Sequence, residues 1–147
     1  ALHFTSFEAY PMAKSDMAAS LAAFPEVADL GTTLLAAWTA GDGPVTLAPN
    51  LTLEVIIGDA RQTLPSWAGR ADAWFLDGFS PAKNPQLWEP ALLQSVADHT
   101  APNGTAATYS AAGHVRQSLT TAGFDVTRAQ GFGRKRHMTT ARKRDAE

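Results

Sequence analysis

Three observations predict an α/β fold with a mostly parallel sheet, helices on both faces and an antiparallel C-terminal edge. Short apolar runs alternate with helix-compatible segments along the chain. Three of those runs end on or just before an acid: Glu8, Asp59 and Asp77. The last two runs flank Gly131-Phe132-Gly133, as the arms of a hairpin do.

Each element follows from local pattern. Residues 2–7 read as a strand ending at Glu8, and Pro11 closes the loop after it. Ser15-Asp16 offers a cap for a helix starting at Met17. Leu21, Phe24, Val27, Leu30, Leu34, Leu35 and Trp38 recur at roughly helical spacing, and Pro25 argues for two helices rather than one. Gly41-Asp42-Gly43-Pro44 is a turn. Residues 51–57 form a strand that runs into Gly58-Asp59-Ala60, with a short helix near residues 61–64. Residues 73–76 are a strand, and residues 87–97 a helix. Pro102-Asn103-Gly104 reads as a turn before a buried strand at 105–109. A helix at 111–122 stops at Gly123. Strands at 124–129 and 136–141 complete the order. No repeat or long linker breaks it, so residues 1–147 are expected to form a single domain.

Composition narrows the function classes. The chain is 45% hydrophobic and 18% charged, the balance of a globular protein. It has no cysteine, which excludes disulfides, thiolate metal sites and a cysteine nucleophile. No apolar run approaches the roughly 20 residues of a membrane span, and no signal peptide is visible at the start. A cytoplasmic setting is compatible with this. The net charge of −2 hides an asymmetry, because seven of the 12 basic residues lie from Arg128 onward, opposed there only by Asp145 and Glu147. Such a basic end suits a polyanionic partner such as RNA, or is simply a solvated tail.

The segment most able to carry chemistry runs from Asp72 to Trp88. Its strand ends on Asp77. Gly78 allows close approach of backbone and ligand. The loop that follows holds Phe79, Lys83 and Asn84 between Pro81 and Pro85. In a parallel sheet, Glu8, Asp59 and Asp77 would line the carboxyl edge, where α/β proteins bind ligands. A carboxylate there can accept ribose hydroxyls, bind an exocyclic amine, or orient and deprotonate an amine. Each acid taken alone also reads as a cap or turn residue. Phe79 reads equally as a stacking ring or core filler. Trp88 reads as packing for the loop. Tyr109 and Ser110 end a strand and border the same edge. The histidines at 3, 99, 114 and 137 lack the paired spacing of metal ligands, and no metal site is expected.

These residues resemble a known family. Asp72 to Trp88, Gly131-Phe132-Gly133-Arg134-Lys135-Arg136-His137-Met138, Gly58-Asp59-Ala60 and Ala107 to Arg116 are similar to the methyltransferase domain of the bifunctional tRNA 5-methylaminomethyl-2-thiouridine biosynthesis proteins. The resemblance implies a class I methyltransferase fold, a Rossmann-like three-layer sandwich, with S-adenosyl-L-methionine as methyl donor. The implied reaction methylates the aminomethyl group of 5-aminomethyl-2-thiouridine at the tRNA wobble position. It implies Glu8 as the ribose-binding acid, Gly58 and Asp59 beside the adenine, and Asp77 at the methyl-transfer position. With that substrate, Lys83, Arg134 and Lys135 become candidate contacts to tRNA phosphates, and Phe79 and Asn84, on the loop of Lys83, are substrate contacts by their position alone. A FAD-dependent oxidoreductase domain, fused or separate, is the implied partner.

The sequence departs from the family in two ways. His137 stands where the family usually has Glu. The chain also opens inside the second strand of the fold, so the strands at 2–7 and 73–76 are expected to lack their common neighbour and its glycine-rich loop. Two other functions fit the same residues. One is a small-molecule amine methyltransferase of the same fold. The other is a non-catalytic fragment that binds RNA or protein.

Overall fold

A computed structural model describes residues 1–38 and 41–145. Two compact units divide it, residues 1–63 and 64–147, each carrying its own sheet.

In the first unit, β1 (Leu2–Glu8) pairs in parallel with β3 (Leu51–Ile57), from Leu2 opposite Leu51 to Glu8 opposite Ile57. Between them the chain forms α1 (Lys14–Leu21), a 3₁₀ turn at Pro25–Val27, and α2 (Ala28–Ala37). The division at Pro25 is as expected. The cap is not: Ala13 occupies the N-cap, and its carbonyl accepts the Asp16 and Met17 amides. Asp16 lies in the first turn, where a negative charge suits the helix dipole. β2 (Val45–Ala48) lies antiparallel to β3 and was not read from sequence. At four residues it is too short for alternation to register. The sheet order is β1-β3-β2. α3 (Ala60–Thr63) follows β3.

The second sheet has the order β4-β5-β7-β6, built from β4 (Ala71–Phe75), β5 (Thr100–Thr108), β6 (Phe124–Gln130) and β7 (His137–Lys143). β4 and β5 are parallel, while β7 is antiparallel to both β5 and β6. One rung runs through Trp74, Ala106, Ala141 and Val126, and the next through Phe75, Ala107, Thr140 and Thr127. Alternate positions face opposite sides of a sheet. Ala106, Thr108, Thr139, Ala141 and Phe124 are buried, while Ala73, Phe75, Thr105 and Arg142 are exposed. The buried face is packed with Leu92, Leu93 and Val96 of α4 (Pro90–Asp98) and Val115 and Leu119 of α5 (Gly113–Thr121).

The structure differs from expectation at three further places. Pro102-Asn103-Gly104 does not end an element but forms an irregularity inside β5, with Ala71 opposite Thr100 and Ala73 opposite Thr105. Asn103 adopts a φ of 60°, so the turn chemistry is present but serves a bulge. The helix expected at 87–97 is two pieces, a 3₁₀ turn at Pro85–Trp88 and then α4, because Pro90 starts a new helix where its missing N–H costs nothing. The basic end is not a free tail. Arg128, Arg142 and Lys143 sit on β6 and β7, and Arg134, Lys135 and Arg136 form the turn between them. Glu147 lies outside the described residues.

Candidate functional site

In the second unit the strands bring one set of polar and aromatic residues to a single edge. β4, β5 and β6 all point their carboxyl ends that way, and β7 begins there. The Leu76 amide donates to the Ala107 carbonyl at 2.9 Å, which extends the β4–β5 ladder to the residue before Asp77. Asp77 therefore leaves a fixed strand with its carboxylate exposed. The loop after it is tied down twice. The Trp88 indole N–H donates to the Phe79 carbonyl at 2.8 Å, and the Lys83 and Asn84 amides both donate to the Ser80 carbonyl, at 2.8 and 2.9 Å. Trp88 itself is buried, which bears out its reading as packing for the loop. Phe79 is 77% exposed and so is not core. Lys83 is exposed and Asn84 half-buried on the same loop.

Tyr109 follows the end of β5 and is exposed. Ser110 is held structurally: its carbonyl accepts the Thr139 hydroxyl at 2.7 Å, and its Oγ accepts the Ala112 amide at 3.3 Å. The β6–β7 turn completes the edge. The Gly131 amide donates to the Arg136 carbonyl at 3.2 Å and the Lys135 amide to the Phe132 carbonyl at 3.1 Å. A Cβ at Gly131 would collide with the Lys135 carbonyl, so this close approach requires glycine. Arg134 and Lys135 are thus presented at the edge that carries Asp77, Phe79, Lys83 and Asn84.

The first unit gathers Glu8, Gly58 and Asp59 at the carboxyl edge of its parallel pair. The Gly58 amide donates to the Glu8 carbonyl at 2.9 Å. Gly58 has a φ of 138°, and a Cβ there would lie 2.8 Å from Thr63 Cγ2, so no other residue fits without strain. Glu8 Oε1 accepts the Ser6 hydroxyl at 2.8 Å. Asp59 is engaged by Arg61, a residue that sequence reading passed over. Arg61 donates from its backbone amide at 2.9 Å and from Nη2 to Oδ2 at 2.6 Å. These hydrogen bonds hold the Asp59 carboxyl below the ordinary carboxylate range. A ligand amine would have to share that carboxylate. The spacing Asp-x-Arg at a helix start is the signal that was available.

Among the described residues no group of three or more His, Asp or Glu side chains is arranged to hold a metal ion. No helix among them is long and apolar enough to cross a membrane.

Comparison with known proteins agrees with this architecture. A family model of S-adenosyl-L-methionine-dependent methyltransferases matches residues 25–144. The bifunctional tRNA 5-methylaminomethyl-2-thiouridine biosynthesis protein MnmC of Chromobacterium violaceum is 44% identical over 142 residues, 94% of this chain and 22% of that protein. The protein of the same name from Caulobacter sp. is 42% identical over 144 residues, 95% of this chain and 24% of that protein. The chain thus spans about a quarter or less of the length of these curated relatives. The crystal structure of MnmC2 from Aquifex aeolicus superposes with a TM-score of 0.72 at 29% identity, over 95% of this chain and 42% of that one.

Proposed function

The chain belongs to the S-adenosyl-L-methionine-dependent methyltransferase family, and from that premise we propose that it methylates the aminomethyl group of 5-aminomethyl-2-thiouridine at the wobble position of tRNA. The observation that carries this reading is Asp77, held at the end of a hydrogen-bonded strand and followed by a loop that the Trp88 indole anchors. The relatives' name supplies the substrate class.

The chemistry asks little of the protein beyond placement. S-adenosyl-L-methionine supplies an electrophilic methyl group on a sulfonium. The attacking amine must be neutral and aligned with that methyl, because its lone pair forms the new N–C bond as the C–S bond breaks. Asp77 accepts a hydrogen bond from the amine, orients the lone pair and takes the proton released on methylation. Glu8 suits the donor's ribose, since an ionised carboxylate only accepts hydrogen bonds and its two oxygens can take the O–H of each of two neighbouring hydroxyls. Gly58, whose amide is bonded to the Glu8 carbonyl and which tolerates no side chain, fixes the backbone between Glu8 and Asp59. Asp59 faces the adenine amine while sharing its charge with Arg61. Lys83, Arg134 and Lys135 contact tRNA phosphates, with Asn84 on the same loop and Phe79 against the nucleoside.

In this reading both units are parts of one methyltransferase domain of a cytoplasmic enzyme. The bifunctional name of the relatives fits a second, FAD-dependent oxidoreductase partner, fused or separate.

Single-turnover methyl transfer to tRNA bearing 5-aminomethyl-2-thiouridine tests the reading. Asp77→Asn keeps the shape and removes the base, so the rate should fall by about 100-fold or more with an unchanged melting curve. A rate equal to that of the unaltered chain removes Asp77 from the chemistry. Transfer to a free small amine but not to tRNA overturns the substrate.

A further inference from the structure

Phe132 stands 83% exposed at the tip of the β6–β7 turn. A single exposed apolar side chain is ordinary on a protein surface. This one is not isolated. Among the described residues of the second unit, the exposed large apolar side chains are Phe75, Phe79, Tyr109 and Phe132, and all four are aromatic. All four also sit at the edge where β4, β5 and β6 end. Aliphatic residues would serve a general greasy contact equally well. Four rings and no leucine, isoleucine or valine select for a partner that offers flat π faces.

The charge around Phe132 narrows the partner further. Arg134, Lys135 and Arg136 share its turn, all three exposed, and none is ion-paired with an acid among the described residues. Lys83 is exposed on the loop that follows β4, at the same edge of the sheet. Aromatic rings interleaved with unpaired cations are the surface that single-stranded nucleic acid recognises, with bases on the rings and phosphates on the cations. The turn is also pre-shaped: its two backbone hydrogen bonds and the close approach at Gly131 fix the backbone that carries the ring. Binding therefore costs little ordering there.

We propose that Phe132 is a stacking platform for an unpaired base of the RNA substrate, flanking the nucleotide presented to Asp77, with Arg134, Lys135 and Arg136 gripping the adjoining phosphates. This rests on the tRNA reading above and adds a residue that reads the loop around the modified position.

The test is equilibrium binding of the chain to a single-stranded oligoribonucleotide of anticodon-loop sequence, without methyl donor, across a salt series. Phe132→Ala should weaken binding by about fivefold or more while leaving the slope of affinity against salt unchanged, because no charge is lost. Phe132→Trp should restore binding. Arg134→Ala should instead flatten the slope by about one. Phe132→Ala binding as tightly as the unaltered chain overturns the proposal, as does an unaltered chain that binds no RNA. If Phe132→Ala changes self-association in sedimentation and leaves RNA affinity alone, the ring meets a second copy and the proposal falls. The two readings fail separately. Equal tRNA methylation by the unaltered and Phe132→Ala chains removes the platform and keeps the methyltransferase. RNA affinity that depends on Phe132 without any methyl transfer keeps the platform and removes the catalytic reading.

Discussion

At the scale of single residues, Asp59 carries the clearest electrostatic signature. Arg61 bonds its carboxylate from both backbone and side chain and lowers its pKa. A carboxyl whose folded pKa lies below its unfolded value contributes stability at pH values above the unfolded one. That contribution is lost as pH falls through the folded value. The pair is solvent-accessible, so the contribution is small and weakens with salt. NMR titration of the Asp59 carboxyl should therefore give a midpoint below that of an ordinary aspartate, and Arg61→Ala should move it upward. A midpoint unmoved by Arg61→Ala would mean that the pair does not persist in solution. Glu8, Asp59 and Asp77 were legible in the sequence because an acid at the end of an apolar run is a one-dimensional pattern. Arg61 was not singled out, since its partner is set by a backbone turn. Phe132 was visible only as part of a glycine-flanked motif. Its meaning depends on exposure, which sequence does not display.

At the scale of elements, the loop from Asp77 to Trp88 behaves as one piece because a buried indole holds it. Trp88 is 4% exposed, and its N–H reaches back nine residues to the Phe79 carbonyl. Trp88→Phe keeps most of the ring packing and removes that donor. It should lower the urea midpoint by an amount equivalent to about 1 kcal/mol, with an unchanged slope. The rate of methyl transfer should fall further than that loss of stability accounts for, because Phe79 is no longer anchored. A rate and midpoint both equal to those of the unaltered chain would show that the hydrogen bond does not order the loop. The elements themselves were largely readable. β3, β4, α5 and the β6–β7 hairpin follow from apolar runs bounded by glycine, proline and polar residues. β2 and the bulge at Asn103 were not readable, because both depend on what lies across the ladder. Pro90 was a stronger signal than the helix-compatible run on either side of it.

At the scale of the whole molecule, the two units differ in what holds them together. Of the thirteen apolar core residues among the described positions, only Val55 lies in residues 1–63, and the other twelve run from Leu64 to Ala141. In the second unit Phe124, Leu93, Leu119 and Val115 are essentially inaccessible. In the first, Phe24 and Leu30 remain exposed on the helical segment. Apolar burial is the main favourable term in folding, at about 25 cal/mol per Å², so the second unit has far more to lose on opening. Opening free energies within one protein range from near zero to the global value, and regions with few buried contacts lie at the low end. Native-state hydrogen exchange should therefore be slowest in β5, β7 and α5, and faster throughout β1, β3 and α2. Phe124→Ala, expected to cost about 3–5 kcal/mol, should raise exchange across α4, α5 and β5–β7 together, since they share that core. Equal protection of β3 and β7 in the unaltered chain would show one cooperative unit in place of two. A donor bound at Glu8 and Gly58 would slow exchange in β1 and β3 by mass action, so repeating the measurement with S-adenosyl-L-methionine separates a weak unit that binds its ligand from one that does not.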